Sequence, residues 1–182
     1  FTFTITSDTA ASADITVVVN TADIVSQATA GSDYTAIVNQ TATIAAGNTS
    51  TTVTVTVNDD AIVEDDQSFE VNLSDARIDG VTDSTRVVIG DGTGIGTIQD
   101  NNTSTLTISD ITTTETDSDF TVQVTVTLSA GAGGIEGGFD VAYSLGLGTA
   151  EATDVTVQGN SLSFAGTAGE TLTIDVVIVG DD

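Results

Sequence analysis

The chain has 182 residues, of which 27 are acidic and 2 basic, giving a formal net charge of −25. Nucleic-acid phosphates and anionic lipid are repelled by such a surface, so cations are its natural partners and neither nucleic-acid binding nor membrane insertion is expected. It has no Cys, no His and no Lys, which excludes disulfides, thiolate chemistry, Ser-His-Asp triads, imidazole metal sites, Schiff-base lysines and Lys–Asn cross-links.

The chain opens on FTFTIT (1–6), in which apolar residues alternate with Thr. Period two marks a half-buried strand, with one face in a core and one in water. The pattern recurs in DITVVVN (14–20), TTVTVTVN (51–58), SFEVNLS (68–74), STLTISD (104–110), FTVQVTVTLS (120–129), GFDVAYS (138–144), SLSF (161–164) and TLTIDVVIV (171–179). Val, Ile and Thr suit a pleated surface. Gly, Asn, Asp and Ser punctuate the runs. No stretch has a helical period, so the expected class is all-β, as antiparallel sandwiches. Hydrophobic residues at 39% supply a core, and aromatics at 4% leave it mainly to Val, Ile, Leu and Ala. No apolar run reaches membrane-spanning length and no signal peptide is visible.

One turn stands apart. NDDAIVEDDQSFEVNLS (58–74) packs six acidic residues with no base among them. Like charges held close destabilise a fold unless something positive joins them. Ca²⁺ takes about six to eight oxygens and tolerates irregular geometry. Asp59 and Asp60 end a strand and Glu64 follows four residues after Asp60, so the turn reads as half of a calcium site. Asp33 and Asp100, from neighbouring loops, would complete it.

The chain also repeats. GSDYTAI (31–37) is echoed by EATDVTV (151–157), TTVTVTVNDD (51–60) by TLTIDVVIVGDD (171–182), and FTFTIT (1–6) by FTVQVT (120–125). The period is about 120 residues, within the range of one domain. It places one module at 1–102, without its first strand, and a second at 103–182, without its last two. No Pro- or Ser-rich linker separates them, so stiff coupling is expected.

The order G-S-D-Y-T, a strand ending in D-D, E-x-D-x-x-F-x-V-x-L-S and D-G-T-G-x-G-T-I-x-D resembles a Calx-beta domain. The second copy adds L-T-I-S-D-x-x-x-x-E, F-T-V-x-V-x-L-S and the G-E-T strand. The resemblance covers nearly the whole chain. It implies tandem immunoglobulin-like antiparallel β-sandwiches, both incomplete, whose loop acids gather Ca²⁺ at one end. The metal ligands it implies are Asp33, Asp59, Asp60, Glu64, Asp66 and Asp100 in the first module. In the second they are Glu115, Asp154, Asp181 and Asp182. Gln67, Asn101 and Asn102 depart from the family's usual acids, and EATDV replaces G-S-D-Y.

Other motifs fail on their spacing. Asp59 to Glu70 has the length of an EF-hand loop, but Ala61 and Val63 fill ligand positions and Glu64 replaces the needed Gly. GDGTGIGT (90–97) is not a phosphate-binding loop, because no helix follows it. Asn39, Asn48, Asn72, Asn101 and Asn102 begin sequons expected by chance in a Thr-rich chain. No catalytic residues are expected and no enzyme. The expected role is a calcium-binding structural or adhesive repeat of an extracellular or cell-surface protein, its ions stiffening module ends and joints. Its partners would be neighbouring modules or copies of itself. The alternative is a filament subunit assembled by strand complementation. A transport-regulatory sensor of the sodium–calcium exchanger kind is disfavoured by the Thr-rich, Lys-free faces.

Overall fold

A computed structural model describes residues 1–131 and 133–180. The strands are β1 (Thr2–Thr6), β2 (Ile15–Asp23), β3 (Gln40–Ile44), β4 (Ser50–Thr54), β5 (Ile62–Val63), β6 (Gln67–Ile78) and β7 (Thr93–Ile98). They continue as β8 (Thr105–Ile108), β9 (Phe120–Ser129), β10 (Gly134–Ile135), β11 (Phe139–Ala142), β12 (Val155–Val157), β13 (Ser161–Phe164) and β14 (Thr171–Ile178). No helix occurs among the described residues, and every run read as alternating in the sequence is a strand. The chain divides into two compact units. The first is Phe1–Asp59 with Asp65–Asp100, and the second is Asp60–Glu64 with Asn101–Asp182.

In the first unit β3, β2, β6 and β7 form an antiparallel sheet in that order, and β1 pairs with β4. Alternation decides which side chains enter the core. Ile15, Val17 and Val19 of β2 are buried, while the residues between them are only half-buried. Phe69 and Tyr34, both fully buried, stack with centroids 4.4 Å apart. Phe1 and Phe3 meet Phe69 edge-on at 5.7 and 6.0 Å. A Cβ at Gly96 of β7 would lie 2.6 Å from the Phe69 ring. The Gly-rich run therefore serves close packing: β7 must lie flat against an aromatic ring. Residue Val17 falls at a break in the β2–β6 register, where Asp75 takes φ 49°, the left-handed geometry common at bulges. Asp79 and Gly80, both at positive φ, turn the chain between Ile78 and Val81, a two-residue hairpin turn that needs such residues.

In the second unit β12, β14, β9 and β8 form an antiparallel sheet, and β11 pairs with β13. The short β5 and β10 pair in parallel. Gly133 leaves no room for a Cβ, which would meet Ile62 at 2.5 Å. Val126, Leu128, Phe164 and Ile174 are the buried core, with Phe139 stacked on Phe164 at 5.2 Å.

The repeat is written in the backbone. Tyr34 bridges Val57, and Val155 pairs with Ile178, each 121 residues on (34 to 155, 57 to 178). The Asp33 carbonyl accepts from the Asn58 amide at 2.9 Å, and the Asp154 carbonyl from the Val179 amide at 2.8 Å. The starts of β3 and β13, and of β4 and β14, share that spacing (40 to 161, 50 to 171). By order and pairing β1, β2, β3 and β4 correspond to β9, β11, β13 and β14.

Candidate metal centre

The site is built on strand ends. In the first unit Asp23, the last residue of β2, opposes Phe69 near the start of β6, and Gln67 opposes Ile98 at the end of β7. This register brings Asp23, Asp66 and Asp100 to one end of the sheet. Tyr34 belongs to the same end, because its ring lies on Phe69 and its hydroxyl donates to the Asp23 carboxylate at 2.6 Å. Asp33 precedes Tyr34, and Asp59 lies two residues beyond Val57, its bridge partner.

Each acid here also has protein partners. One Asp33 carboxylate oxygen accepts from the Thr29 amide at 2.5 Å and closes its own turn. Asn58 holds that turn from the other side, its amide nitrogen donating to the carbonyls of Gly31 and Ser32 at 3.1 and 3.0 Å. Asp66 accepts from the Asp100 amide at 3.2 Å, tying the start of β6 to the end of β7. Asp59 and Asp66 are exposed, Asp33 and Asp100 half-buried. In the second unit, single carboxylate oxygens of Asp60 and Glu64 lie within 4.8 Å of each other. That spacing lets two carboxylates share one cation.

Asp23 escaped the sequence reading. Its Oδ1 oxygen accepts from the Ala30 amide at 2.9 Å as well as from Tyr34, so it shapes the loop that presents Asp33. Its signal was faint: one Asp closing a strand. Burial, then the hydrogen bond and charge of Asp23, push the Tyr34 phenol up to about 12. A neutral phenol can donate to a carboxylate, whereas a phenolate beside it would repel it.

The Calx-beta domain family model matches residues 1–93. The chain belongs to the Calx-beta family. Among solved structures, it is similar to CBD12 from CALX1.2, with 22% identity, TM-score 0.48, and 98% of this chain and 68% of that one covered. It is also similar to the calcium binding domain CBD12 of CALX1.1, with 18% identity, TM-score 0.47, and 96% and 67% covered. A sequence comparison with curated proteins gave no match.

One Asn in this Calx-beta chain has a structural reason. The Asn102 side-chain amide donates to the carbonyls of Ile62 and Asp60 at 2.9 and 3.4 Å. A carboxylate there has no proton to donate and would face two carbonyl oxygens. Asn102 thus trades a charge for a brace on the segment carrying Asp60 and Glu64.

In the second unit Asp154 repeats the turn of Asp33, its carboxylate accepting from the Glu151 amide at 2.8 Å. Glu115 is exposed in the loop between β8 and β9. That loop returns to the end of β14, where Asp119 accepts from the Gly180 amide at 3.1 Å. Asp119, which the sequence reading passed over, thereby reaches the end of β14, and Val179 ties Asp154 to that same end. Asp181 and Asp182, the remaining predicted ligands, lie outside the described residues.

The donor set suits a hard cation. It is all oxygen, from carboxylates and carbonyls at loop ends, without imidazole or thiolate, and such ligands favour Ca²⁺ over softer metals. Asp33, Asp59, Asp66 and Asp100 are the residues of the first unit that would hold such an ion; within the second unit, Asp60 and Glu64 are a pair that could share one.

Proposed function

We propose that this chain is a calcium-binding structural or adhesive module of an extracellular or cell-surface protein. The observation that carries the reading is the gathering of Asp33, Asp59, Asp66 and Asp100 at one end of a sheet in a chain of net charge −25. Bound Ca²⁺ would offset the mutual repulsion of these acids and hold their loops in one arrangement. Three connections between the units run through acidic sequence: Asp59 into Asp60, Glu64 into Asp65, and Asp100 into Asn101. Ions bound by the acids of each unit would hold fixed the segments that lead into these connections, a mechanical role that suits an adhesive repeat. Membership in a family with calcium-binding members supports the ligand. The Lys-free composition supports the extracellular setting.

The test is a thermal melt in EDTA, in millimolar Ca²⁺ and in millimolar Mg²⁺. A ligand that binds only the folded state stabilises it by about 2.7 kcal/mol at one hundred times its dissociation constant. The expected result is a clear rise in midpoint with Ca²⁺ and little with Mg²⁺, absent in the chain carrying Asp59→Asn with Asp60→Asn. Equal melts in all three solutions would leave the acids as solvated surface.

A further inference from the structure

We infer that Glu170 is a positioning residue for the Asp60–Glu64 pair, acting through the backbone of β10 and β5 rather than as a ligand. The inference rests on the calcium reading and adds a residue, distant in sequence from the two acids, that governs their hold on a cation.

The pair is held through β5, the two residues Ile62 and Val63 that lie between the acids. The Ile62 amide donates to the Asp60 carboxylate at 2.8 Å. The Val63 carbonyl, next to Glu64, accepts from the Glu136 amide at 3.0 Å. Both carboxylates therefore take their places from β5, and β5 takes its place from β10. A two-residue strand cannot hold itself in place.

What holds β10 is the loop before β14. The Ile135 amide donates to the Gly166 carbonyl at 2.8 Å. Gly134 and Gly166 are both buried. A Cβ on Gly134 would run into the Gly166 carbonyl, and one on Gly166 into the carbonyl of Ile135. Glu170 fixes this loop in turn. One carboxylate oxygen accepts from the Ala165 amide at 3.1 Å, the other from the Gly166 and Thr167 amides at 3.0 and 3.3 Å. Bonds from amides to an ionised carboxylate are stronger than neutral ones.

The first unit lacks this device. The repeat puts Thr49 at the position of Glu170 (49 to 170), and the matching turn is held by Asp14, which accepts from the Ala46 amide at 2.8 Å. The carboxylate nest belongs to the unit that holds β5. Without it the loop, β10 and β5 loosen, and the like charges of Asp60 and Glu64 drift apart. A cation must then order the segment as it binds, which weakens binding. By reciprocity, the bound cation tightens the loop.

The experiment follows amide exchange and amide shifts of the isotope-labelled full chain in EDTA and through a Ca²⁺ titration. Ca²⁺ should slow exchange at Ile62, Ile135, Glu136 and Ala165–Thr167. In Glu170→Ala the titration midpoint read at Ile62 and Glu136 should rise about fivefold, a modest coupling between two positions. Glu170→Gln, which keeps the length and one acceptor oxygen, should recover part of the loss. Gly133→Ala, whose Cβ would meet the Ile62 amide nitrogen at 2.7 Å, should raise the midpoint similarly while Ala165–Thr167 keep their exchange rates in EDTA. A purely structural role for Glu170 would speed exchange equally in EDTA and in Ca²⁺ and leave the midpoint in place, which would overturn the inference. So would a midpoint unmoved by Gly133→Ala. Either result leaves the calcium reading standing, whereas no response to Ca²⁺ at any amide would overturn both.

Discussion

Gly96 shows how a single residue is fixed by its neighbour. The Phe69 ring lies where a Cβ would stand, and Phe69 is itself held by Tyr34, Phe1 and Phe3, so it cannot step aside. Gly96→Ala should therefore cost about 1–3 kcal/mol by overpacking. Gly90→Ala, where nothing lies within 4 Å of the added carbon, should stay within about 0.5 kcal/mol of the parent. Denaturant midpoints of the two variants separate the effects. Tyr34 gives a pH signature. Its folded value is raised to about 12 from an ordinary 10.0, so the folded state holds the proton longer than the unfolded state does. The stability this supplies is complete below pH 10 and is lost as pH rises from 10 towards 12. Alkaline melts should show that loss, and Tyr34→Phe should flatten it. Both residues stand in the sequence without announcing their partners: the glycines of GTGIGT and the Tyr of GSDYT were only motif letters.

At the scale of elements, strands and loops divide the work. Alternation of Val, Ile and Thr settles which strand faces are buried, and this was legible from the letters. The segments between strands were not. The loop from Ile24 to Asp33 is shaped by Asp23, which binds its Ala30 amide and the Tyr34 hydroxyl. Asp23→Ala removes the one oxygen that accepts both bonds and leaves the buried Tyr34 hydroxyl proton without this acceptor. The expected loss is about 1–3 kcal/mol, with faster amide exchange at Thr29 and Ala30 and weaker Ca²⁺ binding by the first unit. Unchanged exchange in this loop would assign its shape to Asn58 and to the turn that Asp33 closes on Thr29. The short strands β5 and β10 also hid from the sequence. Two residues carry no period, and their pairing depends on Gly131 and Gly133 letting two backbones approach, since a Cβ on either would run into Ala61 or Ile62.

For the molecule as a whole, charge and core pull in opposite directions. A net charge of −25 with two basic residues makes self-repulsion a property of the entire surface. Added NaCl screens it over a Debye length of about 10 Å at 0.1 M. In EDTA, raising the salt from near zero to 0.1 M should lift the melting midpoint by about a few degrees. Ca²⁺ at equal ionic strength should lift it further if the acids form a site. A midpoint that ignores salt would show that the charges are too dispersed to matter. The Arg77–Asp75 pair, 2.7 Å apart and solvent-exposed, contributes little on either side of that balance.

The sequence by itself determined the class of fold, the strand faces, the repeat and a donor set of oxygens without imidazole or thiolate. These follow from local chemistry: period two needs only neighbouring letters, and composition needs none. Only the tertiary structure decided which acids share an end, because that depends on register between β2, β6 and β7, strands far apart in the chain. It alone decided that Asn102 braces the Asp60–Glu64 segment and that Asp23 and Asp119 belong with the predicted acids. Each of these is a contact between residues distant in sequence, and such contacts are set by packing rather than by any residue's own preference.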